Sequence, residues 1–275
     1  MSREIDVRHL GREHVICAHE VDGMVVDPGP ASSVDTLLEA LEPEPRALLL
    51  THIHLDHAGA AGVLCRTFPS LTVYVHERGA PHLADPSRLL QSAERLYGDD
   101  MQRLWGEVAP VPAERLQALR GGERVEGMRV EYTPGHASHH VCYLHEDSGE
   151  AFVGDVAGVR LPGSTYTVAP TPPPDIDVDA WLSSVDAVAG WSPTALCLTH
   201  FGRHEDVDEQ LERLRGDLRR RAEQARAMTP DEFARWSEGD TRAAVDGEIA
   251  EALIQAAPPE TLGMGLRRYW EKRAT

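Results

Sequence analysis

Four metal-competent side chains fall within six residues: His52, His54, Asp56 and His57, in Leu50-Thr51-His52-Ile53-His54-Leu55-Asp56-His57-Ala58-Gly59. They follow the apolar run Ala47-Leu48-Leu49-Leu50, which is preceded by Pro43 and Pro45 and reads as a buried strand. Past that strand, His52 and His54 point to one side, because side chains alternate with a period of two. Ala58 to Phe68 reads as a helix, with Asp56 and His57 at its N-terminus. One short turn can thus aim two imidazoles one way and a carboxylate plus an imidazole another. Two adjacent metal ions suit that arrangement better than one. Imidazole and carboxylate ligands fit zinc, and also iron or manganese. A lone His-x-His would be an ordinary polar loop and a lone Asp56 a helix cap. Four such residues together after a buried strand are not.

Three further strands end in the same way. Met128-Arg129-Val130-Glu131-Tyr132 alternates as a strand does, and Pro134-Gly135 breaks it to leave His136 at its end. Ala151-Phe152-Val153 runs into Gly154-Asp155, and Ala195-Leu196-Cys197-Leu198 into Thr199-His200. In layered folds of strands and helices, sites gather at strand ends, where loops converge.

These motifs resemble the metallo-β-lactamase-fold hydrolase superfamily: Thr51-His52-x-His54-x-Asp56-His57-Ala58-Gly59, then Thr133-Pro134-Gly135-His136, then Gly154-Asp155, then Thr199-His200. They stand in that family's order, over roughly residues 14 to 203. The resemblance implies a four-layered αββα sandwich, an α+β fold, with a dinuclear site. It implies that His52, His54 and His136 hold one metal, that Asp56, His57 and His200 hold the other, and that Asp155 bridges them. His140 matches a further histidine of the family pattern, outside the ligand set.

Two divalent ions roughly 3.5–4 Å apart can share a water and lower its pKa from about 16 towards 7. The expected function is therefore metal-dependent hydrolysis by a metal-bridged hydroxide, with Asp56 as the catalytic carboxylate that orients it and passes a proton to the leaving group. The expected cofactors are two divalent ions, zinc first, with iron or manganese as alternatives. The resemblance favours a small ester-like substrate, a thioester or a lactone. A mononuclear-iron persulfide dioxygenase-like enzyme and a phosphodiesterase of the same fold are the alternatives.

Composition narrows the partners. A net charge of −18 opposes nucleic-acid binding, which needs a basic surface, and opposes an anionic membrane. No stretch approaches the ~20 apolar residues of a membrane span. The N-terminus carries no signal-peptide pattern. Cys17, Cys65, Cys142 and Cys197 show no paired spacing. A cytoplasmic enzyme acting on a small molecule is expected.

Residues 1–203 read as the catalytic core and 204–275 as a helical extension packed on it. His14 to Ala18 and Met24 to Val26 read as a hairpin, closed by the early turn Asp27-Pro28-Gly29. Ser33 to Leu41 reads as a helix and Leu71 to His76 as a strand. His76 and His82 read as surface or pocket-rim residues. Residues 85–120 form a polar, helix-prone insertion, where Tyr97, Met101 and Trp105 are helix-packing residues or a substrate wall. The proline-rich run 161–175 reads as a stiff connector or pocket wall, with Tyr166 as the candidate substrate-binding residue. Val207, Leu211, Leu214 and Leu218 make an amphipathic stripe for the core, or a short homodimer seam. Thr229-Pro230 starts the first of two or three last helices.

Overall fold

The structure, a computed structural model, describes residues 1–274. Among them, two six-stranded mixed sheets carry the fold. The first runs in the order β1 (Arg3–Asp6), β2 (Cys17–Val21), β3 (Met24–Val26), β4 (Ala47–Leu49), β5 (Thr72–His76), β6 (Leu116–Leu119). The second holds β7 (Arg124–Val125), β8 (Met128–Tyr132), β9 (Val141–His145), β10 (Glu150–Gly154), β11 (Ala195–Leu198) and β12 (Gly202–His204), also as sequential neighbours.

Strand parity builds the layers. Met24, Val26, Ala47 and Leu49 meet Val130, Tyr143, Phe152 and Cys197 in one apolar cluster between the sheets. Their neighbours along the same strands, among them Val25, Leu48, Ala151, Val153, Leu196 and Leu198, face the larger cluster shared with the helices. Central strands are apolar on both faces because both faces are covered. The result is the expected αββα sandwich.

The helices are α1 (Val34–Ala40), α2 (Leu55–Ala58), α3 (Ala61–Thr67), α4 (Ala80–Ala84), α5 (Ser87–Tyr97), α6 (Met101–Trp105), α7 (Val178–Ala189), α8 (Val207–Ala227), α9 (Pro230–Ala244), α10 (Gly247–Ala256) and α11 (Pro259–Ala274). Leu211, Leu214 and Leu218 of α8 are buried in the same core as Val153 and Trp181. That stripe is spent inside the chain and is not a dimer seam. Thr229 and Glu232 form a reciprocal capping box with Pro230 in the first turn of α9. No described helix is long and apolar enough to cross a membrane.

Several boundaries differ from the sequence reading. The helix expected over Ala58 to Phe68 is two helices, with Gly59 and Ala60 between them. A side chain at Gly59 would collide with the Leu55 carbonyl and press on Pro30, so the chain turns tightly there. Asp56 and His57 lie inside α2, and extended His54 precedes its first turn. The hairpin starts at Cys17, because His14 has a left-handed φ of 63° that breaks the strand. The insertion does not stay helical to its end: Leu116–Leu119 pairs parallel with β5 and forms the edge of the first sheet.

Candidate metal centre

Five of the seven side chains of the expected ligand set sit just past a strand. His52 and His54 follow β4, His136 follows β8, Asp155 follows β10 and His200 follows β11, while Asp56 and His57 lie in α2. β8, β10 and β11 run in the same direction, so their ends share one edge of the second sheet. The chain brings these side chains together as two groups. His52, His54, His136 and Asp155 form one, and Asp56, His57 and His200 the other, with the donor atoms of each within 4.8 Å of one another.

The hydrogen bonds fix which ring nitrogens face inward. His136 Nδ1 donates to the Pro170 carbonyl at 2.9 Å and His200 Nδ1 to the Val15 carbonyl at 2.7 Å. A carbonyl only accepts, so Nε2 of each ring presents a lone pair to the site. His57 Nδ1 donates to Asp27 Oδ2 at 2.8 Å, so in the neutral ring its Nε2 carries the lone pair. Thr51 Oγ1 donates to Asp27 Oδ2 at 2.6 Å and therefore accepts from His52 Nδ1 at 3.1 Å.

In the first group, Nε2 of His52 and Nε2 of His136 lie 2.9 and 3.0 Å from His54 Nδ1. One proton on His54 satisfies at most one of these two lone pairs. A divalent cation satisfies all three nitrogens, and the donor set fits zinc, iron or manganese. Asp155 splits its oxygens between the groups. Oδ2 is 3.2 Å from His136 Nε2, while Oδ1 is 3.4 Å from His57 Nε2 and 3.7 Å from His200 Nε2. His57 Nε2 and Asp155 Oδ1 are buried without a hydrogen-bond partner, a cost that a bound cation removes. Asp56 Oδ2 lies 3.3 Å from His200 Nε2.

Electrostatics divides the two groups. Burial, then the neighbouring imidazoles, holds His52 well below the usual histidine range. The same causes bring His54 down to about 4. These rings are neutral, as ligands must be. Burial would also lower His57, but Asp155, Asp56 and Asp27 together outweigh it and push it up. Burial would raise Asp56, but His57 and His200 outweigh it and keep the carboxyl ionised.

Asp27 is the residue that the sequence reading passed over as part of a turn. It is fully buried and accepts four hydrogen bonds, from Thr51 N, Thr51 Oγ1, Thr199 Oγ1 and His57 Nδ1. It therefore sets His57 directly and His52 through Thr51, one ring of each group. Its signal was in the sequence, since Asp27 ends the apolar strand Met24-Val25-Val26 as Asp155 ends its own. Gly154 is required beside it: at φ +48°, any side chain would meet Thr51 Oγ1 at 2.5 Å and His140 Nε2 at 2.8 Å.

His140 stacks on His52 at 5.0 Å, bonds Thr133 Oγ1 through Nδ1 at 2.9 Å and stays outside both groups. His82, Tyr97 and Trp105 line the cavity over the centre. Met101 packs behind that wall, and His76 is buried against the Tyr132 ring. Tyr166 does not reach the cavity. Its hydroxyl donates to Asp240 at 2.6 Å and accepts from Arg221 at 3.1 Å, which ties the proline-rich run to α8 and α9. Tyr166, the expected substrate-binding residue, is not among the residues lining the cavity, and its hydroxyl is held by Asp240 and Arg221.

A family model described as the metallo-beta-lactamase superfamily matches residues 15–200. The metallo-beta-lactamase fold-containing protein ST1585 of Sulfurisphaera tokodaii is 28% identical over 207 residues, 72% of this chain and 75% of that protein. The crystal structure of ST1585 superposes with a TM-score of 0.73 at 23% identity, over 97% of this chain and 98% of the other. A hydroxyacylglutathione hydrolase of Aeromonas hydrophila is 31% identical over 141 residues, which is 50% of this chain but 43% of that enzyme. The structure of TTHA1623 in a di-iron-bound form superposes with a TM-score of 0.55 at 26% identity, over 72% of this chain and 91% of the other.

Proposed function

This chain belongs to the metallo-beta-lactamase superfamily, and we propose that it is a dinuclear metal-dependent hydrolase of small ester-like substrates, thioesters or lactones first. One observation carries the reading: Asp155 of the first donor group also lies 3.4 and 3.7 Å from His57 Nε2 and His200 Nε2 of the second, and His54, Asp56 and Asp155 line a single cavity.

His52, His54 and His136 would hold one cation and Asp56, His57 and His200 the other, with one Asp155 oxygen for each. Bound there, divalent cations supply an acidified water and a Lewis acid for the substrate carbonyl. The Asp56 side chain is 24% exposed. It lies at the cavity wall and is ionised. Its carboxylate takes the proton released at the nucleophile and returns it to the leaving group. Asp155 and Asp56 bring negative charge that makes two cations tolerable in one pocket. Asp27 holds His57 and His52 in the tautomers that ligation needs.

The similarity to hydroxyacylglutathione hydrolase supports thioesters, and the di-iron-bound TTHA1623 supports iron beside zinc as the native metal. Four buried, unpaired cysteines suit a reducing cytoplasm. We divide the chain into a catalytic core, 1–203, and a helical extension, 204–275. The test is turnover of a thioester, lactone and phosphodiester panel by wild type and His54→Ala. Thioester or lactone hydrolysis that the variant loses together with metal supports the reading. Full activity in His54→Ala refutes it.

A further inference from the structure

The cavity that reaches Asp56 and Asp155 has a volume of about 400 Å³, in the range of small-molecule sites. Its two long walls are mainly apolar, with Arg88 and Ser92 as polar residues on one side and Asp175 on the other, and come from segments that the ligand motifs do not include. One wall is the insertion, with Leu89, Ala93 and Leu96 of α5 and Trp105 of α6. Leu55, Ala93 and Trp105 form an apolar cluster separate from the main core, and all three also line the cavity. The other wall joins Pro172 and Pro173 to Ala256, Ala257 and Leu262 at the α10–α11 junction.

The second wall is clamped. Thr171 Oγ1 donates to the Leu262 carbonyl at 3.0 Å, and Arg268 and Lys272 both donate to the Pro174 carbonyl at 3.1 Å. Gly265 of α11 touches the proline run so closely that a Cβ there would lie 2.1 Å from the Thr171 carbonyl oxygen. The helix holds the prolines at a set distance from the opposite wall, so the width of the slot is built in.

We propose that this slot selects substrates by an apolar group next to the reacting carbonyl, and that the C-terminal helices make this chain's specificity wall. The ligand is an ester-like compound with an alkyl chain or carbocyclic ring on one side of the carbonyl. The proposal rests on the hydrolase reading only for where the carbonyl sits.

The test uses the metal-loaded full chain and separates the two ideas. Binding is measured with 2-alkanones from acetone to 2-decanone, which cannot be hydrolysed, through the tryptophan fluorescence that Trp105 contributes. Turnover is measured with acetyl to decanoyl thioesters of N-acetylcysteamine, and with methyl to octyl thioacetates. Affinity for the ketones should rise about fourfold per methylene, and kcat/KM should rise similarly along one ester series before it levels off. Ala256→Phe in one wall and Leu96→Glu in the other should each collapse the long-to-short ratio at least tenfold, with metal content and melting temperature checked alongside. Ketone binding with that slope but no ester turnover sustains the slot and removes the hydrolase reading. Ester turnover with no dependence on chain length in either series, and no preference for 2-decanone over acetone, overturns the slot and leaves the hydrolase reading standing.

Discussion

Replacing Asp27 with Asn changes one oxygen to an amide and should disable one metal position. In the wild type, Oδ1 takes the Thr51 N–H, while Oδ2 takes the Thr51 and Thr199 hydroxyls and His57 Nδ1–H. In Asp27→Asn the carbonyl oxygen keeps Thr51 N–H, and both hydroxyls can rotate to accept from the new NH₂. His57 cannot adapt without cost, because its Nδ1–H now faces another donor. It either leaves a buried donor unpaired, at about 1–3 kcal/mol, or moves its proton to Nε2. The second choice blocks the nitrogen that faces Asp155. Loss of such an orienting partner lowers metal affinity by about 10–100-fold. His52 keeps its acceptor, Thr51 Oγ1. The loss should therefore fall on the Asp56, His57, His200 position and spare the other. Competition with a colorimetric chelator resolves the two affinities, and urea unfolding of the metal-free protein gives the stability term. The reasoning fails if the variant binds both ions as tightly as wild type, or if the His52, His54, His136 position is the one weakened.

Other outcomes follow from the same geometry. Tyr166→Phe should lower stability by about 1–2 kcal/mol, from hydrogen bonds to the charged groups Asp240 and Arg221. It should leave KM within about twofold, since the hydroxyl faces away from the cavity, and steady-state kinetics beside urea melts will show it. Asp206 offers a pH test. Burial would raise its carboxyl, but hydrogen bonds from Arg160 and Arg213 outweigh that and lower it to about 2. A depressed carboxyl contributes stability above its unfolded value of about 4 and loses it as pH falls through about 2. The gap in urea midpoint between wild type and Asp206→Asn should thus be full at pH 5 and smaller at pH 3. A gap that widens on acidification contradicts the assignment.

The two donor groups were legible because most of their residues interrupt an apolar pattern at a strand end, where sequence and chemistry give the same signal. Asp27 carried that signal too, but Asp-Pro-Gly also spells a turn, and only the fold shows Thr51, Thr199 and His57 converging on it. β1 was missed because Arg3, Glu4 and Asp6 leave Ile5 as its one buried residue. β6 was missed because Leu116–Leu119 has one buried residue and follows a helix-prone stretch, so its strand character comes from pairing with β5. The surroundings of Tyr166 were not legible because the proline-rich run serves two places. Its later prolines face the cavity, while Tyr166 faces α9. Periodicity along one segment carries no record of which distant element arrives beside it. Which residues of the C-terminal helices wall the cavity was invisible for the same reason, since Ala256 and Leu262 acquire their role only where α11 docks on Thr171 and Pro172.

Two cations held around Asp155 are the centre of the proposed chemistry. The direct measurement is metal per chain by elemental mass spectrometry, on wild type and Asp155→Ala, after purification without added metal and after reconstitution. About two zinc, iron or manganese ions per wild-type chain, with a clear loss in Asp155→Ala, is the predicted result. One ion per chain after reconstitution, or none, or an Asp155→Ala protein that retains two, would contradict the dinuclear centre.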